Sequence, residues 1–410
     1  MKRFFLGLVV TLVILVSASV ASAGIGGPVQ GIGQSADSTQ AAFSASAAAQ
    51  QQPTNSAGPV SVLSPGVGGA TTQSNSVGSN ASATNSNGTQ QTASQVLAGL
   101  TCGCVTPGGG QAVGQSASSA QGALAGSQAT QTDPQNNAVS VRVLSPGSDG
   151  STNQSNSAGS GANASNSNWT TQTASQDPTS GAGGQVAGQE ADSEQGAVAG
   201  SQATQTDPQN NAVSVRVLSP GSDGSTNQSN RVGSDARASN HNSVDQTADQ
   251  TAGGGCGCGA GGGQAVGQSA SSAQGALAGS QATQEGATNT ADPVRVESPG
   301  SGGSVRQSNG VDSDASARNG NQTEQTAGQS AALRCGCGGL GIQALGQESS
   351  SWQFGAALSG ALQEGASNDA SPTRVLSPGG GGSTTQSNHV DSKARVTNWN
   401  RLKQLANQAG

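Results

Sequence analysis

The chain has no tyrosine and a single methionine, and aromatic residues make up only 2% of its 410 positions. Charged residues are scarce as well, at 9%, and hydrophobic residues reach 31% only with alanine counted. The first shortage excludes an interior filled with Leu, Ile and Phe, although the length alone would allow two or three ordinary domains. The second departs from the charge-rich composition that usually keeps a chain disordered. Lys and Arg together number 15 against 22 Asp and Glu, an acidic balance that argues against nucleic acid as a partner. With so few lysines and no GK[ST] run, no phosphate loop is present. What is abundant is glycine, 64 residues, together with Ala, Ser, Asn, Gln and Thr. Such a chain is either a flexible low-complexity polymer or a repeat structure built on polar ladders.

The N-terminus carries Lys2 and Arg3, a mostly apolar run from Phe4 to Val16, and the small residues Ala21, Ser22 and Ala23. This is the pattern of a secretory signal, too short in its apolar part to span a bilayer. Residues 1–23 are therefore expected to be cleaved, leaving 13 basic and 22 acidic residues and a formal charge of −9. The expectation is an exported protein, secreted or held at the cell surface, with no membrane span after cleavage.

An LSPG-like tetrad recurs with its proline at Pro65, Pro146, Pro220, Pro299 and Pro378. In every repeat a glutamine stands 31 residues before that proline and another 8 after it, so the modules share one internal ruler. The boundaries are 24–109, 110–184, 185–263, 264–341 and 342–410. Residues 126–156 and 200–230 are identical, so the diverged first and fifth modules are the more informative ones.

Each module holds two blocks of period two. In the first block the alternate positions read Gln115, Ala117, Ser119, Gln121, Ala123, Ala125, Ser127, Ala129 and Gln131. In the second they include Gln73, Asn75, Asn85, Asn87 and Gln91, and in the fifth module Gln386, Asn388, Asn398 and Asn400. The intervening positions accept His389, Lys393, Arg395, Trp399 and Arg401. One parity that stays small or amide-bearing beside another that takes charge and indole marks a strand with one enclosed face. Disorder would not preserve that parity.

A continuous strand of 23 residues would run roughly 75 Å, so each block is expected to bend. The candidate bends are Gly78, Gly159, Gly233 and Asp312 and the pair Asn85 and Asn87. Each block would then be one strand–arc–strand coil, ten coils in all, stacked to roughly 48 Å at about 4.8 Å per layer. The fold class expected is an all-β solenoid with Gly-rich connectors. Equivalent amides would form ladders inside it, and a short strand with Val139, Val141 and Val143 would supply most of the aliphatic content.

These blocks resemble curlin repeats, the units of bacterial curli amyloid fibres, with Asn85 to Gln91 the closest local match. The Gly-rich step after the first Gln of the curlin motif is missing here, and the intervals holding LSPG have no curlin counterpart. The resemblance implies a strand–loop–strand coil lined by Gln and Asn, and fibre formation.

All six cysteines fall in CGC triplets within the connectors: Cys102 with Cys104, Cys256 with Cys258, and Cys335 with Cys337. In an exported protein structural disulfides are the default reading. Their spacing and the lack of an adjacent histidine speak against zinc. His241 and His389 occupy outward positions, as surface residues rather than catalysts. Arg142, Arg216, Arg295 and Arg374 stand four residues before the turn prolines and suggest exposed gatekeepers or a positive line along the stack. Asp149 and Asp223 hint at calcium loops but supply too few oxygens. No catalytic, cofactor or metal site is expected, and the chain does not read as an enzyme. The expected function is a structural protein of the cell surface or extracellular matrix that self-associates end to end or as a fibre. The alternatives are a monomeric solenoid binding ice or polysaccharide, and a disordered matrix protein cross-linked through CGC.

Overall fold

A computed structural model of the chain describes residues 30–97, 110–178, 184–252, 263–331 and 342–409. They form 17 β-strands, with no helix among the described residues and therefore none long and apolar enough to cross a membrane. The signal segment, residues 1–23, lies outside the described residues. So do the six cysteines expected to form disulfides, namely Cys102, Cys104, Cys256, Cys258, Cys335 and Cys337.

Each module is one turn of a stack. A first-block strand of 22 residues is followed by a short connecting strand, the LSPG corner and a second-block strand of 26 or 27 residues. In the second module these are Gln111–Thr132, Gln135–Val143 and Thr152–Pro178. The first and fifth modules break the connecting strand in two, as in Thr54–Ala57 with Val60–Val62 and Ser367–Ala370 with Thr373–Val375. All pairing is parallel and in register between equivalent positions, so Gln34 pairs with Gln115 and Asn75 with Asn156. Three sheets result: one of first-block strands, one of second-block strands and one of connecting strands, in module order from end to end.

The solenoid class expected from the parity is present, but the coil differs. Both blocks are unbroken strands, and Gly78, Gly159, Gly233, Asp312, Asn85 and Asn87 lie within them. The stack therefore has five layers rather than ten, spanning roughly 20 Å between its end strands at about 4.8 Å per layer. The reason is that a block with one apolar-small face needs an opposing wall. Two blocks meet that need by facing each other, without either folding back on itself. The walls are staggered: Thr71–Leu97 touches both Gln30–Gln51 of its own module and Gln111–Thr132 of the next. Consequently Gln30–Gln51 and Thr384–Ala409 are the outermost strands and the most exposed. Between the walls Ala81, Ala83, Ala123, Ala125 and their equivalents form a continuous alanine core, where small side chains let the backbones approach.

The connecting strand turns the opposite way from what its valines suggest. Asn136, Ala138 and Arg142 are buried, whereas Val139 is 39% exposed. The aliphatic residues of this strand thus lie on its outer side.

The corner has a fixed conformation in every layer. Leu63, Leu144, Leu218, Glu297 and Leu376 take left-handed φ values of 46 to 54°. The serine that follows accepts the backbone N–H of its counterpart in the preceding layer, as Ser219 Oγ does from Ser145 at 2.9 Å, and donates to Val217 O at 2.9 Å. The closing glycine is required twice over. Gly221 has φ 137°, and a Cβ there would lie 1.9 Å from the carbonyl oxygen of Gly147. Gly221→Ala should destabilise the fold by at least ~1–3 kcal/mol, whereas Gly159→Ala, in an extended strand with open space around it, should be neutral or stabilising. Urea unfolding of the two variants checks the contrast, which fails if both behave alike.

Candidate functional site: amide ladders, turn charges and open ends

The interior is organised by side-chain amides. In the column Gln34, Gln115, Gln189, Gln268, Gln347, each Nε2 donates to the Oε1 of the preceding layer at 2.8 Å. The second N–H of Gln189 goes to Thr247 O of the opposite wall at 3.0 Å, so both donors of the amide are used. The column of Gln40, Gln121, Gln195, Gln274 and Gln353 is built the same way, as are those of Gln73 with Gln386 and of Gln91, whereas that of Gln131 has the bond between layers alone. Asparagine columns run through Asn75 to Asn388, Asn85 to Asn398 and Asn87 to Asn400, at 2.9 to 3.1 Å per step. Serine hydroxyls bridge the walls, Ser160 to Ser127 and Ser234 to Ser201, each at 2.9 Å.

A further column escaped the sequence reading. Asn55, Asn136, Asn210, Asn289 and Asn368 form a ladder at 2.8 Å per step. It is zipped to the Asn75 column, as by Asn136 Nδ2 to Asn156 Oδ1 at 3.0 Å. The signal was available: an asparagine stands ten residues before each turn proline.

The two amide types point in opposite directions along the stack. Every interior glutamine column donates toward the first layer, as from Gln154 to Gln73, and every interior asparagine column donates toward the fifth, as from Asn156 to Asn230. The end faces are therefore distinct. The fifth layer presents the Oε1 acceptors of Gln347 and Gln353 and the Nδ2 donors of Asn398 and Asn400. The first presents the Nε2 donors of Gln34 and Gln40 and the Oδ1 acceptors of Asn85 and Asn87.

The turn arginines are not gatekeepers. Arg142, Arg216 and Arg295 are buried, at 3%, 0% and 1% exposure. Arg216 Nη1 lies 3.1 Å from Asp149, which Arg142 Nε approaches at 2.7 Å, and Arg295 Nη1 lies 3.1 Å from Asp223. The remaining guanidinium N–H groups cap corner carbonyls, such as Arg216 to Ser222 O at 2.8 Å and Arg295 to Ser301 O at 2.7 Å. Asp149 and Asp223 are thus ion-pair partners. Arginine points inward here because corner carbonyls of its own and the preceding layer converge on it, some of which, such as Gly147 O and Ser219 O, accept no backbone N–H. The fourth and fifth modules have Gly302 and Gly381 at the Asp position, and half-buried Arg374 donates to Gly379 and Gly380 carbonyls.

His241 and His389 lie on the outer face. Asp312, His389 and Asp391 bring potential metal-ligating atoms within 4.8 Å of one another. Both carboxylates already pair with cations, Asp312 with Arg231 at 2.8 Å and Asp391 with Lys393. Comparison with protein-family models, with curated proteins and with solved structures finds no match.

Removing one member of the buried charge row leaves its partners uncompensated. Arg216→Met should lower stability by about 3–5 kcal/mol, read by denaturant unfolding; a loss under about 1 kcal/mol, the value of an exposed pair, would contradict the burial.

Burial raises the carboxyl of Asp223 above its ordinary value of 3.8, outweighing the attraction of Arg295 and Arg216. Burial likewise raises Glu194, Asp235 and Asp245. Between the ordinary and the raised values the folded state binds more protons than the unfolded state, so stability falls as pH rises through that window. Asp391 is lowered by its hydrogen bond from Lys393 and acts in the opposite sense only below its ordinary value of 3.8. The unfolding midpoint should therefore be higher slightly above pH 4 than at pH 7, and a midpoint that drops on mild acidification would refute the assignment.

Proposed function

We propose that this protein is a structural component of the cell surface or extracellular matrix, and that copies associate head to tail through the end layers into a fibre. The carrying observation is the complementarity of the two ends. The outer edges of Gln30–Gln51 and Thr384–Ala409 are long and unpaired, and open edges recruit further strands. A second copy set in register on the fifth layer would place Gln34 on Gln347, Gln40 on Gln353 and Asn85 on Asn398. Glutamine donors would then meet glutamine acceptors, and asparagine donors asparagine acceptors. Two fifth layers face to face would set acceptor against acceptor, so the favoured contact is heterologous and does not close. The resemblance to curlin repeats and the secretory pattern of residues 1–23 support the same reading.

The purified chain without residues 1–23 should form unbranched filaments with fibre-diffraction reflections near 4.8 and 10 Å. Gln353→Lys, a charge in an end ladder, should block elongation yet leave the isolated stack folded. A β-rich wild-type protein that stays monomeric at high concentration in sedimentation experiments would refute the proposal.

A further inference from the structure

The two broad outer faces differ in charge. Every charged residue on the first-block strands is acidic, including Glu190, Asp192 and Glu194. All eight Lys and Arg of the two broad sheets lie on the second-block strands, four of them on the last, Thr384–Ala409. Arg318, Arg395 and Arg401 have no carboxylate in ion-pairing range among the described residues.

The same face carries two flat aromatic surfaces. Trp399 lies across Gly320 of the preceding layer, where a Cβ would fall 2.5 Å from the indole. Its ring centroid is 5.8 Å from that of His241, one layer further on. Trp169 covers Gly88 in the same manner, with the corresponding distance 2.1 Å. Both indoles remain open to solvent, at 42% and 46% exposure. In register, Trp399 shares a column with Gly320 and His241, and Trp169 shares the neighbouring column with Ser243, Gln322 and Arg401. The two columns form a strip along the stack axis with one indole toward each end. Arg401 lies on one side of Trp399 along its strand, and Arg318 lies diagonally from it in the fourth layer. The strip's far border holds Asp245 and Glu324, the latter paired with Lys403.

We infer that this strip binds a carboxylated polysaccharide lying along the stack axis. A planar indole held flat and exposed stacks on the C–H face of a sugar ring, while a guanidinium fork takes a carboxylate by two parallel hydrogen bonds. The serine, histidine and glutamine between the indoles supply hydrogen-bonding groups for hydroxyls. Nucleic acid fits less well, because the chain is acidic overall and the strip is bordered by Asp245 and Glu324. The inference rests on the outer face alone and holds for a single copy as for a fibre.

The test is a titration of the full chain with alginate oligomers, followed by indole fluorescence, at low and physiological salt. Binding should saturate and weaken with salt. Trp399→Ala and the pair Arg318→Ser with Arg401→Ser should each weaken it tenfold or more. Trp352→Ala, on the opposite face, should leave it unchanged. The arginine pair guards against a folding artefact, since neither side chain is in the interior, and unfolding midpoints equal to wild type confirm it. Equal binding of neutral dextran, tighter binding of single-stranded DNA, wild-type affinity in the arginine pair, or a response that tracks protein self-association instead of glycan concentration would each overturn the inference.

Discussion

A buried side-chain amide has two N–H donors and a carbonyl that must be satisfied where no water reaches them, and each group left unpaired costs about 1–3 kcal/mol. In this molecule the partner of an interior amide is the same residue one layer away, joined in most columns by a backbone carbonyl of the opposite wall, as for Gln195 with Gln121 and His241 O. That arrangement is available only when layers repeat in register. It makes the period of the sequence, its parity and the parallel pairing consequences of one requirement. A one-residue slip of any strand would turn its whole row of amides to solvent and bring the outer residues inside.

The same requirement accounts for the small side chains. The inner positions carry few residues larger than valine besides Gln, Asn and Arg, because two walls close enough for Gln189 to reach Thr247 O leave no room for a phenylalanine between them. Alanine and serine fill the middle of the layer, where the walls are linked by hydroxyls such as Ser127 and Ser160. The hydrophobic effect contributes through many small contacts, and directional bonds fix the register.

Parity was legible in the sequence because drift respects it: the outer positions of the fifth module became charged and aromatic while Gln386, Asn388, Asn398 and Asn400 kept their type. The pairing of blocks was not legible. Length suggested that 23 residues must bend, but a strand is limited by the wall it packs against, and here the opposite block supplies a wall of equal length. The corner misled for a related reason. An arginine four residues before a proline reads as a surface cation, and nothing local signals that corner carbonyls of its own and the preceding layer converge on it, as those of Ser222 and Gly147 do on Arg216. Val139, Val141 and Val143 were expected to supply most of the aliphatic content, yet the buried side of their strand belongs to the Asn136 ladder and Arg142. Composition ranks valine as buried; the competing demand of the carbonyls and of the asparagine column decides otherwise.

The ladders define parity and register along a strand but cannot distinguish one layer from another, since every layer presents the same amides. Layer identity resides in the features that break the repeat. Asp149 and Asp223 occur in the second and third modules only, so the buried charges run Arg142, Asp149, Arg216, Asp223, Arg295 and close within the chain. A whole-module slip would bring Arg295 against a neighbour without its aspartate, the situation that the half-buried Arg374 alone meets in the native order. At the ends this row is silent: Arg374 faces a layer whose counterpart in a following copy would be Ser61, neither acid nor base. The charge row thus fixes the order of layers within one chain, and the end faces are left to amides alone, where any matching copy is equivalent.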